Sequence, residues 1–301
     1  MKFHLRSAAK VNLTLDILSR RADGYHELAS VVHTVGIWDD IDIELTKNQA
    51  IEFTCNRGDL AGDDNLCVRA VRKWNEATGD KFGATIHLEK RIPTGAGLGG
   101  GSGNAAAILL ALNRAATVEV TEETLRNIGA KLGADVPLFL RGGAVLMEGI
   151  GEKLTPLAPK TGWLIVIKPQ ESFSTPEIYR LVDEQNRFSG RAEATMQMLA
   201  NWHRDSLSKL AQEMGNDLQL PAQSVSTLPR ICTKILREAG ALGAQMSGSG
   251  SACFGIFETQ LEAQQAREKL ESELAKLVPL QNSRLFVAPL CARGIEIMST
   301  A

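Results

Sequence analysis

The chain opens on strict alternation. Phe3, Leu5, Ser7, Ala9, Val11, Leu13, Leu15 and Ile17 share one parity, and Lys2, His4, Arg6, Lys10, Asn12, Thr14 and Asp16 share the other. Period two predicts a strand with one buried face, and it sets Lys10 and Asn12 side by side on the polar face. Residues 21–24 read as a turn built on Asp23-Gly24. Ile41, Ile43 and Leu45 alternate again, with residues 51–54 placed to pair with them. Asp63 or Asp64 is expected to cap a helix that runs to Thr78 and stops at Gly79. Residues 85–89 form another short strand.

A glycine-dense loop over residues 95–103 follows, and then an apolar helix from Asn104 to about Ala115. Thr121, with Glu122 and Glu123 behind it, caps a helix carrying Leu125, Ile128 and Leu132, ended by Gly133. Residues 143–148 and 164–167 read as strands. Pro156, Pro159 and Gly162 mark a boundary near residue 160, dividing the chain into 1–158 and 159–301. Helical spacing recurs at Met196, Leu199, Leu207, Leu210 and Met214, and at Leu228, Ile231 and Ile235. A second glycine-serine loop, residues 247–251, leads into strand-like residues 252–257. Ala263, Ala266, Leu270, Leu274 and Leu277 make an amphipathic helix, and residues 285–298 read as a final strand-like stretch. Strands and helices interleave throughout, as in an α/β or α+β chain of two lobes with a cleft between them.

Composition narrows the function classes. At 301 residues the chain has room for two domains of ~150 residues, and 44% apolar with 23% charged residues supports a large core. Lys plus Arg number 33 and Asp plus Glu 35, a net charge of -2 that speaks against a broad grip on nucleic acid. The longest apolar run, residues 105–112, is far short of a ~20-residue membrane span. Lys10, Asn12 and Asp16 break any secretory core near the N-terminus, so a cytoplasmic location is expected. Five cysteines without a C-x-x-C suit a reducing compartment, and neither a disulfide framework nor a zinc site. No H-E-x-x-H or paired histidine spacing suggests a metal centre.

The candidate chemistry lies in the glycine loop. Six of its nine residues, 95–103, are glycine, and it is wedged between a strand and a helix rather than between polar linkers. Glycine lets backbone approach a ligand closely, and a following helix offers free N–H groups and a positive dipole end, which together make a phosphate cradle. The loop lacks G-x-x-x-x-G-K-[ST], so it is not an ordinary P-loop. Gly95, Gly97 and Gly100 satisfy G-x-G-x-x-G, but Lys90, Arg91, Ile92 and Pro93 intervene after the strand, which fits a dinucleotide-dependent oxidoreductase poorly. A protein-kinase loop fits no better, since no H-R-D or D-F-G follows.

The run Pro93-Thr94-Gly95-Ala96-Gly97-Leu98-Gly99-Gly100-Gly101-Ser102 resembles the nucleotide loop of the GHMP kinases, the superfamily of galactokinase, homoserine kinase, mevalonate kinase and phosphomevalonate kinase. Residues 10–17 with 20–26 resemble its N-terminal signature A-K-x-N-L-x-L…R-x-D-G-Y-H, and residues 246–251 its third glycine motif. The Asp23-Gly24-Tyr25-His26 signature together with Gly99-Gly100-Gly101 is similar to the narrower family of kinases of 4-diphosphocytidyl-2-C-methyl-D-erythritol, in non-mevalonate isoprenoid synthesis.

The resemblance implies an α+β, two-lobed fold with an N-terminal lobe like ribosomal protein S5 domain 2 and a ferredoxin-like C-terminal lobe. It implies transfer of the ATP γ-phosphoryl group, with Mg²⁺, to the 2-hydroxyl of a cytidine-diphosphate-linked methylerythritol. Asp135 would be the general base, whereas its residue-level reading is a helix N-cap. Lys10 would stabilise charge beside it, and Asn12 would bond a substrate hydroxyl. The cofactor-binding run would extend from Pro93 through Ser102 to Gly103, with residues 247–251 shaping the phosphate pocket. Tyr25 and Tyr179 would stack on the cytosine from opposite faces while His26 reads its edge. One departure stands out: the family carries two serines after the triple glycine, and here Gly103 follows Ser102, which implies one contact to Mg-ATP lost or replaced by water. No nucleic-acid or membrane partner is expected, and a monomer or homodimer is. An RNA-binding module is the rival from another class, disfavoured by the charge and by only two Tyr and four Trp.

Overall fold

The computed structural model describes residues 1–300. Its strands are β1 (Lys2–Asn12), β2 (Thr14–Arg20), β3 (His26–Thr46), β4 (Ile51–Cys55), β5 (Gly83–Glu89), β6 (Ala144–Gly149), β7 (Lys153–Leu157), β8 (Trp163–Lys168), β9 (Gly215–Asn216), β10 (Gly243–Met246), β11 (Cys253–Phe257), β12 (Arg284–Pro289) and β13 (Ile295–Thr300). Its helices are α1 (Leu66–Thr78), α2 (Gly100–Ala115), α3 (Glu122–Ala130), α4 (Val136–Arg141), α5 (Thr175–Glu184), α6 (Glu193–Asn201), α7 (Leu207–Gln212), α8 (Gln219–Val225), α9 (Leu228–Glu238) and α10 (Gln260–Lys276). No helix among the described residues is long and apolar enough to cross a membrane.

The strands form a nine-stranded and a four-stranded sheet. The 21-residue β3 is the spine of the larger one: its first part pairs with β2 and β6, its second with β1 and β5. The smaller sheet, β10-β11-β8-β12, is antiparallel throughout. Helix α2 lies against β1 with Ala105, Ala106, Ala107, Ile108, Leu109, Ala111 and Leu112 all buried. Its small residues permit the close approach: a Cβ on Gly103 would stand 3.1 Å from the Ala8 carbonyl oxygen.

Several expectations are corrected. The opening alternation is two strands broken at Leu13, and from Ser7 to Ile17 both faces are buried. Period two identified the strands but not the second covering layer, because the larger sheet is overlain from the C-terminal half. There Gln245 Nε2 donates to the carbonyls of Asn12 and Leu13 at 2.7 and 3.0 Å. Residues 51–54 pair in parallel with β5, not with β3. Helix α1 is capped by Asn65, not Asp63 or Asp64: its Oδ1 accepts from the Cys67 amide at 2.9 Å while its Nδ2 donates to the Leu60 carbonyl at 3.0 Å. A carboxylate could make only the first of these bonds. Helix α2 begins at Gly100 rather than Asn104, so the triple glycine ends inside its first turn. The last stretch is two strands in different sheets: β12 pairs with β8, and β13 returns to β1.

Candidate active site

Two clefts meet at the glycine loop. The larger, about 800 Å³, is lined by Lys10, Asn12, Tyr25, His26, Asp135 and Tyr179, with Asp183 and Gly248 among their neighbours. The smaller, about 380 Å³, is lined by Asn65, Leu66, Lys90, the whole run from Pro93 to Ser102, and Asn104. Gly97, Gly99 and Ser102 belong to both walls. Gly103 belongs to neither, and its open side faces Ala8 and Ser7 of β1. A serine there would set its Cβ against the sheet and Phe139, so glycine at this position costs no phosphate contact.

The loop backbone is arranged for an anion. Gly95, Gly97 and Gly99 have φ of 58°, 73° and 69°, a left-handed conformation that glycine adopts at little cost. Its carbonyls turn toward protein: Ala96 O accepts from Ala252 N at 3.3 Å, Leu98 O from Lys10 N at 2.9 Å, and Gly97 O from Ser247 Oγ at 3.0 Å. Among the described residues no N–H from Thr94 to Ser102 finds a protein acceptor. These amides, with the uncapped N-terminus of α2 and no acid in its first turn, form a nest of positive dipoles. The chain enters the loop over a buried ion pair. Asp39 pairs with Lys90 and accepts from the amides of Arg91 and Ile92, both at 2.7 Å.

Lys10 is 5% exposed, not solvated as its parity suggested. Its ammonium donates to Asn12 Oδ1 at 2.7 Å and stands 3.6 Å from Asp135 Oδ2. Asn12 donates in turn to Ser30 Oγ at 2.9 Å, so its amide is engaged at both ends and holds Lys10 in place. Asp135 occupies the residue before α4, yet its side chain makes no capping bond and its carboxylate is 30% exposed. The capping reading is therefore not met; the carboxylate faces the ammonium and the cleft.

At the far end of the larger cleft Tyr25 is 61% exposed, after a turn in which Asp23 Oδ1 accepts from the Tyr25 amide at 3.1 Å. His26 is buried, with Nε2 2.7 Å from Asp183 Oδ1. Tyr179 packs on the His26 ring, centroids 4.9 Å apart. Burial raises the Tyr179 phenol above its ordinary pKa, and the Asp135 charge acts in the same direction.

Two of these groups escaped the sequence reading although each left a signal. Asp183 lies one helical turn beyond Tyr179 on α5, so the two share a face. Asn104 is the lone polar residue at the head of a buried apolar run; it is 2% exposed, and neither Oδ1 nor Nδ2 has a partner. The smaller cleft, with the loop amides on its wall, fits a polyphosphate tail. No group of three or more His, Cys, Asp or Glu among the described residues could hold a metal. Ser102 and Asp135 supply oxygens on the wall of the larger cleft, and Mg²⁺ carried by phosphates needs only one or two from the protein.

The chain is also similar to known proteins. Residues 65–143 match the GHMP kinases N terminal domain and residues 198–276 the GHMP kinases C terminal model. The 4-diphosphocytidyl-2-C-methyl-D-erythritol kinase of Desulfitobacterium hafniense (strain Y51) is 43% identical over 262 residues, 85% of this chain and 87% of that protein. Its namesake from Clostridium perfringens (strain 13 / Type A) is 38% identical over 272 residues, covering 89% and 93%. A crystal structure of 4-(cytidine 5'-diphospho)-2C-methyl-D-erythritol kinase superposes with a TM-score of 0.79 at 34% identity, over 96% of this chain and 99% of that one. A homoserine kinase from Cytophaga hutchinsonii shares the fold, with a TM-score of 0.77 at 19% identity, over 99% and 97%. The α+β, two-sheet architecture, the loop and the extent of these matches lead to one conclusion: the chain belongs to the 4-diphosphocytidyl-2-C-methyl-D-erythritol kinase family of the GHMP kinases.

Proposed function

We propose that the chain transfers the γ-phosphoryl group of ATP to the 2-hydroxyl of 4-diphosphocytidyl-2-C-methyl-D-erythritol, a step of non-mevalonate isoprenoid precursor synthesis. The observation that carries the reading is the meeting of the two clefts at Gly97, Gly99 and Ser102, beside the Lys10–Asp135 pair. The names of the relatives supply the acceptor.

Asp135 accepts the proton of the attacking hydroxyl as the new O–P bond forms. Lys10 holds that carboxylate beside the acceptor by its charge and offsets negative charge at the transferring group. Asn12 fixes the ammonium between them and bonds a substrate hydroxyl with its remaining hydrogen-bonding capacity. The amides of the glycine loop bind the phosphate tail. Ser102 and Asp135, together with the phosphates, would hold Mg²⁺, whose charge would offset that of the phosphate oxygens. Tyr25 and Tyr179 hold the cytosine and His26 reads its edge. Residues 1–158 supply the loop and the reacting pair, and residues 159–301 complete the pocket. The protein acts in the cytoplasm on a small molecule, as monomer or homodimer.

The test is ADP release from ATP and Mg²⁺ with a panel of alcohols. Turnover of the cytidyl substrate alone is the expected result. Turnover of mevalonate or homoserine in its place would move the chain elsewhere among these kinases.

A further inference from the structure

We propose that Asp183 is a positioning residue: it fixes the His26 imidazole in the Nε2–H tautomer, leaving Nδ1 as a hydrogen-bond acceptor that selects a base bearing an exocyclic amine, cytosine over uracil. The inference rests on the preceding reading that the acceptor substrate carries a cytidyl group.

His26 is buried yet lines the larger cleft. Its Nε2 lies 2.7 Å from Asp183 Oδ1, and an ionised carboxylate can only accept, so the proton between them sits on Nε2. A neutral ring protonated there carries its lone pair on Nδ1, and among the described residues no protein donor meets that nitrogen. Two aromatic rings pack near it. Tyr179 packs at 4.9 Å with a tilt of 41°, and Phe188 lies nearly parallel at 6.2 Å. Arg20 Nε stands 3.5 Å from the other oxygen of Asp183 and fixes the orientation of the carboxylate. Cytosine offers an amine donor at the edge where uracil offers a carbonyl acceptor. An acceptor nitrogen therefore bonds the first and opposes the second.

The first measurement is the ¹⁵N spectrum of histidine-labelled protein at neutral pH without ligand, His26 being assigned by its loss in His26→Gln. A protonated Nε2 with an unprotonated Nδ1 is expected; a proton on Nδ1, alone or with one on Nε2, overturns the proposal. The second is steady-state kinetics with the cytidyl substrate and its uridine-diphosphate analogue. In Asp183→Asn the amide can donate to Nε2 and move the ring proton to Nδ1. The cytidyl KM should then rise about tenfold with kcat unchanged, and the preference over the uridyl analogue should fall by a similar factor. Asp183→Glu should restore both. An Asp183→Asn enzyme with the original base preference overturns the proposal, and if that variant fails to fold the spectrum decides. Absence of turnover of the cytidyl substrate by the unsubstituted protein would sink the activity reading and base selection together. Normal turnover with a proton on Nδ1 sinks this inference alone.

Discussion

Burying an amide without partners costs about 1–3 kcal/mol, and Asn104 does so on the wall of the nucleotide cleft. Asn104→Leu, close in volume and apolar, is expected to raise stability by about 1 kcal/mol in urea denaturation. A destabilised variant would show that the amide has a structural role. His33 presents a different case. It is fully buried, donates from Nδ1 to the Thr34 carbonyl at 2.8 Å and accepts at Nε2 from the Lys160 amide at 3.0 Å. Burial lowers its pKa from 6.5 to about 4. Below pH 6.5 the unfolded chain takes up a proton that the folded chain refuses. The stability contributed by neutral His33 is therefore complete above pH 6.5 and lost as pH falls toward 4, by up to about 3 kcal/mol. The urea midpoint should fall over that window in the native protein and fall less in His33→Gln.

At the scale of elements, the glycine loop is held by contacts only glycine allows. A Cβ on Gly97, at φ 73°, would run into the Ser247 carbonyl oxygen, whereas one on Gly101 meets only Leu66 Cδ1 at 3.4 Å. Gly97→Ala should raise the ATP KM by more than about tenfold and lower the melting temperature; Gly101→Ala should change both little. Equal effects of the two would refute a docked loop. The elements themselves were largely legible, because periodicity reports which face is buried: β5, β8, α3 and α10 follow their patterns, and β1 does so over its first half. Partners were not legible. Residues 51–54 carry nothing that distinguishes β5 from β3, and residues 285–298 look continuous although Leu290 to Gly294 carry the chain from one sheet to the other. The start of α2 was missed because low helix propensity in glycine was overridden by docking against Lys90 and Ile92.

At the scale of the whole molecule, function depends on long-range closure. Lys10 and Asp135 are 125 positions apart, and the loop that buttresses Gly97 comes from residues 247–251. The pairing of Lys10 with Asn12 was visible as a shared strand face, and the family resemblance supplied Asp135. Asp183 and Asn104 were hidden because a side chain's unmet hydrogen-bonding capacity appears only once its surroundings are assembled. The two clefts then divide the work, one holding the phosphate donor and one the alcohol, with the carboxylate–ammonium pair where they meet.

The most direct test of that arrangement is kcat for ADP release by Asp135→Asn with the cytidyl substrate. The account predicts a folded protein that binds ATP normally and turns over about 10²- to 10⁴-fold more slowly. Near-normal turnover by this variant would contradict it, leaving Asp135 a bystander beside Lys10.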